Sequence, residues 1–258
     1  MSDQLHGLRV LVTRPARQAS ALARAISAAG GEAVLLPGID IEEKSAEEIR
    51  AGLASAADSD LLVFVSPNAA RIALAARTTE VALPARARVA AIGAGTAQEL
   101  KKHGVQGIIT SRHGSDTEAL LRCREIQALG AGTRVTVFRG EGGREMLAQW
   151  LRERDVEVKY VECYRRRRPV RDAAELQPLW EKGAFAAWSA TSAEIVDNLF
   201  ELAGENGRPR LLDAPLFVTH PRIAGRAFAL GVKTIFVSGP GDTRLLDGML
   251  TWFRKLRL

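Results

Sequence analysis

The stretch VTVFRGEGGREMLAQWLRERDVEVKYVECYRRRR, from Val135 to Arg168, contains a strand, a glycine-rich turn, an amphipathic helix and a second strand that ends in a tyrosine and a run of arginines. Met146, Leu147, Trp150 and Leu151 recur at helical spacing between two strand-type runs, so the unit is a strand–helix–strand crossover, the element of a parallel sheet. At Arg139-Gly140-Glu141-Gly142-Gly143 the chain leaves the first strand through residues that tolerate positive φ and let a ligand approach the backbone. The amides of such a turn, with the positive end of a helix dipole behind them, suit an anion.

The same grammar extends outward. Leu8 to Thr13 is a strand-type run broken at Arg14-Pro15, Ala19, Leu22, Ala23, Ile26 and Ala29 share one helical face, and Ala33 to Leu36 supplies the next strand. Gly38 to Glu43 alternates apolar and acidic residues as one extended segment, and Ser45 with Glu48 spells a capping box. Leu61 to Val65 is a buried-type strand ending in Ser66-Pro67-Asn68, and Val89 to Ile92 is another, ending in Gly93-Ala94-Gly95-Thr96. Thr96 with Glu99 is expected to start a helix, Ile108-Ile109 to form a strand, and Ser115 with Glu118 to cap the helix that follows.

The pattern then restarts. Val10–Arg14 answers to Val135–Arg139, Leu62–Ser66 to Phe185–Ser189, Gly104-Val105 to Gly231-Val232, and the TEALL at Thr117 to the TRLLD at Thr243, all at offsets of about 125 residues. This periodicity implies an internal duplication of one doubly wound α/β unit; by itself it would divide the chain into tandem domains near Gly130.

Composition bounds the partners. The 258 residues suffice for two domains, and 47% hydrophobic with 26% charged residues lies in the globular range. Only 5% of residues are aromatic, which argues against a surface that stacks nucleic-acid bases. A net charge of +6 suits nucleic acid, anionic lipid or a small polyanion, or serves solubility alone. MSDQLHG holds no apolar run, no segment nears the roughly 18 residues of a membrane span, and Cys123 and Cys163 lack metal-ligand spacing. These features lead us to expect a cytoplasmic protein with reduced thiols, no membrane span and no metal site.

Six strings carry a resemblance: VTRP at Val12, FVSPNAARIAL at Phe64, AIGAGTAQEL at Ala91, FRGEGGRE at Phe138, ECYRR at Glu162 and VTHPRIA at Val218. In this order and spacing the chain resembles the uroporphyrinogen-III synthases. The resemblance implies two flavodoxin-like, doubly wound domains joined by a two-stranded hinge, with the first crossover of each copy exchanged. Domain one is then 1–37 plus 169–258, domain two 42–162, and 38–41 with 163–168 the hinge strands. It further implies closure of hydroxymethylbilane, a linear tetrapyrrole polycarboxylate, to uroporphyrinogen III. The last ring, ring D, is inverted and water is lost through azafulvene-like and spiro intermediates, in the biosynthesis of haem, sirohaem or cobalamin. No cofactor is needed; a monomer is expected, with hydroxymethylbilane synthase handing over the substrate.

Ligands of open parallel sheets sit beyond the carboxyl ends of the strands. That rule selects Arg14, Ser66, Thr96, Arg139, Gly140, Gly142, Gly143, Ser189, Ser192, Thr219 and His220 as substrate contacts, holding carboxylates through amides, hydroxyls and helix N-termini. For Ser66, Thr96 and Thr191, helix capping is an equal explanation. Tyr164, where the family places its tyrosine, is the candidate proton donor to the departing hydroxyl, because a phenol donates without carrying charge. An amphipathic linker residue is the alternative. Arg165 to Arg168 form a solvated charge run of which one member at most reaches the site, and Cys163 is a buried thiol. Three rivals are a non-catalytic binder of a polyanion, a nucleic-acid binder, and a dinucleotide-dependent oxidoreductase using Gly140-x-Gly142 with Glu162. The last fails at the third glycine, where Glu145 stands.

Overall fold

The computed structural model describes residues 4–114, 116–181 and 183–255. In chain order the elements begin β1 (Arg9–Val12), α1 (Ala16–Ala28), β2 (Glu32–Leu35), β3 (Asp40–Glu43), α2 (Ala46–Ser55), β4 (Leu61–Phe64) and α3 (Pro67–Ala75). They continue with β5 (Arg88–Ala91), α4 (Ala94–Lys102), α5 (Thr117–Leu121), α6 (Arg124–Gln127), β6 (Arg134–Gly140), α7 (Met146–Arg152) and β7 (Glu157–Arg167). The last are α8 (Ala173–Trp180), β8 (Ala187–Ala190), α9 (Ala193–Asp213), β9 (Leu216–Val218), α10 (Pro221–Ala229), β10 (Ile235–Val237) and α11 (Asp242–Lys255).

The chain divides into two compact units that are not its two halves: Met1–Asp40 with Arg167–Leu258, and Ile41–Arg166. The first unit holds a sheet of order β2-β1-β8-β9-β10, parallel at every pairing. The second holds β3-β7-β6-β4-β5, in which β7, β6, β4 and β5 are parallel and repeat the order of β2, β1, β8 and β9. In each, the winding direction reverses at one place, between β1 and β8 and between β6 and β4, which is where open α/β sheets expose a crevice.

Period-two alternation sorts the side chains. In the second unit Leu62, Phe64 and Phe138 face α2, α3 and α4, whereas Leu61, Val63, Val135 and Val137 face α5, α6 and α7. Phe64 and Phe138, opposite one another in register, stack with centroids 4.6 Å apart. In the first unit Val10 and Val12 meet Leu22 and Ile26 of α1 and Leu245, Met249 and Phe253 of α11.

Three local expectations differ from the observed elements. Ile109 makes a single parallel bridge with Ala90 instead of a strand. α4 starts ahead of Thr96, because Gly93 takes φ +82° and turns the chain there. β7 is one continuous strand through Arg167, so Cys163 to Arg167 prolong it, with β3 beside it through Lys44 N–H donating to Cys163 O at 3.0 Å. The capping box of Ser45 and Glu48 is present at the start of α2. The expected cap at Ser115 lies outside the described residues; Asp116 is the N-cap of α5. Among the described residues no helix is long and apolar enough to cross a membrane.

Candidate active site

In the second unit the carboxyl ends of β4, β6 and β7 converge on Tyr164. The pairing of β6 with β7 shifts after Arg139, from Arg139 opposite Glu162 to Gly140 opposite Tyr164. That shift brings the tyrosine ring over Gly140, where a Cβ would lie 2.7 Å from the ring carbons. Only glycine leaves the ring its place. The residue is 2% exposed, and its hydroxyl lies 3.0 Å from Ser66 Oγ. Ser66 is the N-cap of α3 and accepts from Ala69 N–H at 3.1 Å, so its own proton remains for a second partner. Cys163 is fully buried, and burial pushes its thiol up to about 12; it is not a nucleophile.

The glycine turn is internally satisfied to a degree that its motif does not reveal. Gly142 and Gly143 take φ of +68° and +109°. Glu141 N–H donates to Tyr164 O at 2.7 Å, and Gly142 N–H donates to Glu162 Oε1 at 3.3 Å, so a carboxylate of the protein itself meets the turn. Arg139 is 6% exposed and folds over the same turn. Its Nε donates to Gly140 O at 3.2 Å, one Nη to Gly142 O, and the other to Glu145 Oε1 at 2.7 Å. The guanidinium also lies 4.6 Å from the Tyr160 ring centroid, and Tyr160 donates to Glu145 Oε2 at 2.5 Å. The hydrogen bonds from Tyr160 and Arg139 hold the Glu145 carboxyl below its ordinary range; burial and Glu145 raise Tyr160. Arg139 therefore braces the turn in place of presenting its charge to a guest.

Beside the turn opens a cleft of about 330 Å³ with Val65, Ile92, Val137 and Leu147 in its lining; its charged residues are Asp116, Arg139, Arg144 and Arg166. Thr96, expected on a loop, is the third residue of α4 and 2% exposed; Glu99 pairs with Lys102 at 3.0 Å instead of capping.

In the first unit the equivalent strand ends are closed by polar contacts. Arg14 is paired with Asp242, the first residue of α11, and the Thr13 hydroxyl donates to Ser189 O. Ser189 lies within β8, 3% exposed, its hydroxyl donating to Leu11 O at 3.5 Å, so it stitches two strands and is not a loop residue. The counterpart of Ser66 is Ser192, the N-cap of α9, which accepts from Ile195 N–H at 3.2 Å; the anticipated match to Ser189 is three residues out of register. Thr219 is half-buried just beyond β9, and exposed His220 caps α10 with Nδ1 accepting from Arg222 N–H at 3.1 Å.

Glu145 and Tyr160 escaped sequence reasoning because they meet only when β7 lies beside the turn; an acid six residues after the arginine was the one available signal.

The family model described as uroporphyrinogen-III synthase HemD matches residues 20–244. The chain belongs to the uroporphyrinogen-III synthase family. The uroporphyrinogen-III synthase of Salmonella typhimurium (strain LT2) is 32% identical over 245 residues, covering 93% of this chain and 98% of its own. That of Escherichia coli (strain K12) is 30% identical over 242 residues with the same coverage. A mutant uroporphyrinogen III synthase from the extreme thermophile Thermus thermophilus has a similar structure, with a TM-score of 0.64 at 21% identity over 96% of this chain and 100% of that one. The Helicobacter pylori 26695 uroporphyrinogen-III synthetase gives 0.59 at 13% identity over 95% and 99%. The likeness to these two structures concerns the fold. For a member of the uroporphyrinogen-III synthase family the engagement of Glu145 is instructive: the residue that blocks a dinucleotide turn is held by Arg139 and Tyr160.

Proposed function

We propose that this chain closes hydroxymethylbilane to uroporphyrinogen III, inverting the last ring and losing water. The observation that carries this is the 32% identity to a uroporphyrinogen-III synthase along 93% of this chain and 98% of the relative. Catalysis then rests chiefly on holding the flexible substrate so that the wrong carbon of the last ring reacts first. Tyr164 gives its proton to the departing hydroxyl, and Ser66, 3.0 Å from the phenol, can donate to the oxygen left behind. Gly140 and Gly142 shape the turn of the second unit, where the amide of Gly143 and the first turn of α4 around Thr96 offer contacts to carboxylates; in the first unit Ser192, Thr219 and His220 offer hydroxyl and imidazole contacts. Arg14 and Arg139 keep the strand ends in shape. The protein acts as a cytoplasmic monomer that receives its substrate from hydroxymethylbilane synthase.

The test is to give the purified protein freshly made hydroxymethylbilane, oxidise the products and separate the isomers by chromatography. Type III should predominate. Type I alone, at the uncatalysed rate, would leave a polyanion binder with this fold.

A further inference from the structure

We propose that the cleft of the second unit seats a single pyrrole ring of the substrate and that Arg166 is the cation that takes the ring's carboxylate arm. The inference rests on the synthase assignment for the identity of the ring, and on the cleft's own chemistry for the rest.

A lining that includes Val65, Ile92, Val137 and Leu147 accepts a flat, electron-rich ring, and about 330 Å³ is near the low end for a small-molecule site, enough for one ring with short arms and too little for four. Acid arms on such a ring need a cation at the lip. Arg139 cannot serve, since three of its nitrogens are held by Gly140 O, Gly142 O and Glu145. Arg144 stands 3.9 Å from Glu118, a contact that already engages part of its charge. Arg166 lines the cleft and has no ion pair among the described residues. Its neighbours in the arginine run differ: Arg165 is 3.0 Å from Glu141, and Arg168 is paired with Glu201. A guanidinium offers a carboxylate two parallel donors, so it can fix the orientation of an arm as well as its charge.

The experiment compares Arg166→Ala, Arg166→Lys and the control Arg165→Ala in two assays. In steady-state turnover of hydroxymethylbilane, Arg166→Ala should raise KM about tenfold or more with kcat changed less than about twofold, the scale of one lost charge-assisted contact. Arg166→Lys should recover part of that loss, and Arg165→Ala should leave KM unchanged. In an NMR titration with porphobilinogen, a single pyrrole bearing two acid arms, the native protein should bind and Arg166→Ala should bind about tenfold more weakly. This second assay needs no turnover, so a protein that makes only type I product would overturn the synthase assignment while leaving the cleft inference open to its own result. Native protein that ignores porphobilinogen, or equal losses in Arg166→Ala and Arg165→Ala, would overturn it.

Discussion

The crossovers β1–α1–β2 and β6–α7–β7 occupy the same length of chain: Arg9 pairs with Glu32 and Arg134 with Glu157, each 23 residues apart. Their interiors differ. After Arg14 the chain meets Pro15, at the N-cap position of a helix of 13 residues. After Arg139 the strand runs on to Gly140, and residues 141–145 form a turn before a helix of only 7 residues. The glycine turn is thus drawn from the helix and is not an insertion. Both arginines are tied to an acid near a helix start, Arg14 to Asp242 and Arg139 to Glu145, but only Arg139 also grips the backbone it has just left. One framework is sealed at its strand end, and the other is reshaped into a turn that carries a tyrosine and a cleft.

The most damaging way to break this contrast is Gly140→Ala, which puts a methyl where the Tyr164 ring lies 2.7 Å away. Displacing the phenol by about 1 Å should lower turnover about 100-fold, and overpacking should cost about 1–3 kcal/mol of stability. Turnover measured beside a thermal melt checks both, and full activity would show that the ring position is immaterial. Next in size, Tyr164→Phe keeps the packing and removes the proton; kcat should fall at least about tenfold. Rapid-quench kinetics identical to the parent would remove Tyr164 from the acid's role.

A sharper comparison sets Ser66→Ala against Ser192→Ala. Each removes an equivalent N-cap and should lower stability by about 1 kcal/mol, yet only Ser66 also touches Tyr164. Thermal melts should therefore agree while kcat falls only for Ser66→Ala. Parallel losses of kcat would mean that the phenol contact is incidental. The smallest effect concerns Glu145, whose depressed pKa contributes stability that is complete above the unfolded value of about 4.3 and is lost as the pH falls through the folded value. Glu145→Gln should flatten the acid limb of the melting profile by a small amount, since the group is exposed and screened. An unaltered acid limb would show that the brace on Arg139 does not depend on that charge.

Much of this organisation was legible in local pattern. Short apolar runs located the strands, 3.6-residue periodicity the helices, and the Ser45–Glu48 box and the cap at Ser66 were visible as short-range chemistry, because capping hydrogen bonds span about three residues. Less legible were positions where two local rules compete. Thr96 carried a capping signature, but Gly93 turned the chain first and left the threonine inside the helix. Ser189 and Ser192 both end a strand-like run, and only the pairing of β8 with β1 decided which hydroxyl would be buried.

The sequence by itself determined the crossovers, their parallel sense and the family, since these depend on residue type, spacing and order along the chain. Tertiary structure alone decided that Tyr164 rests on Gly140 and that Arg139 is engaged while Arg166 lines the cleft without an ion pair among the described residues. The physical reason is that a polar group's availability depends on every partner within hydrogen-bond reach, and those partners arrive from strands and turns distant in sequence.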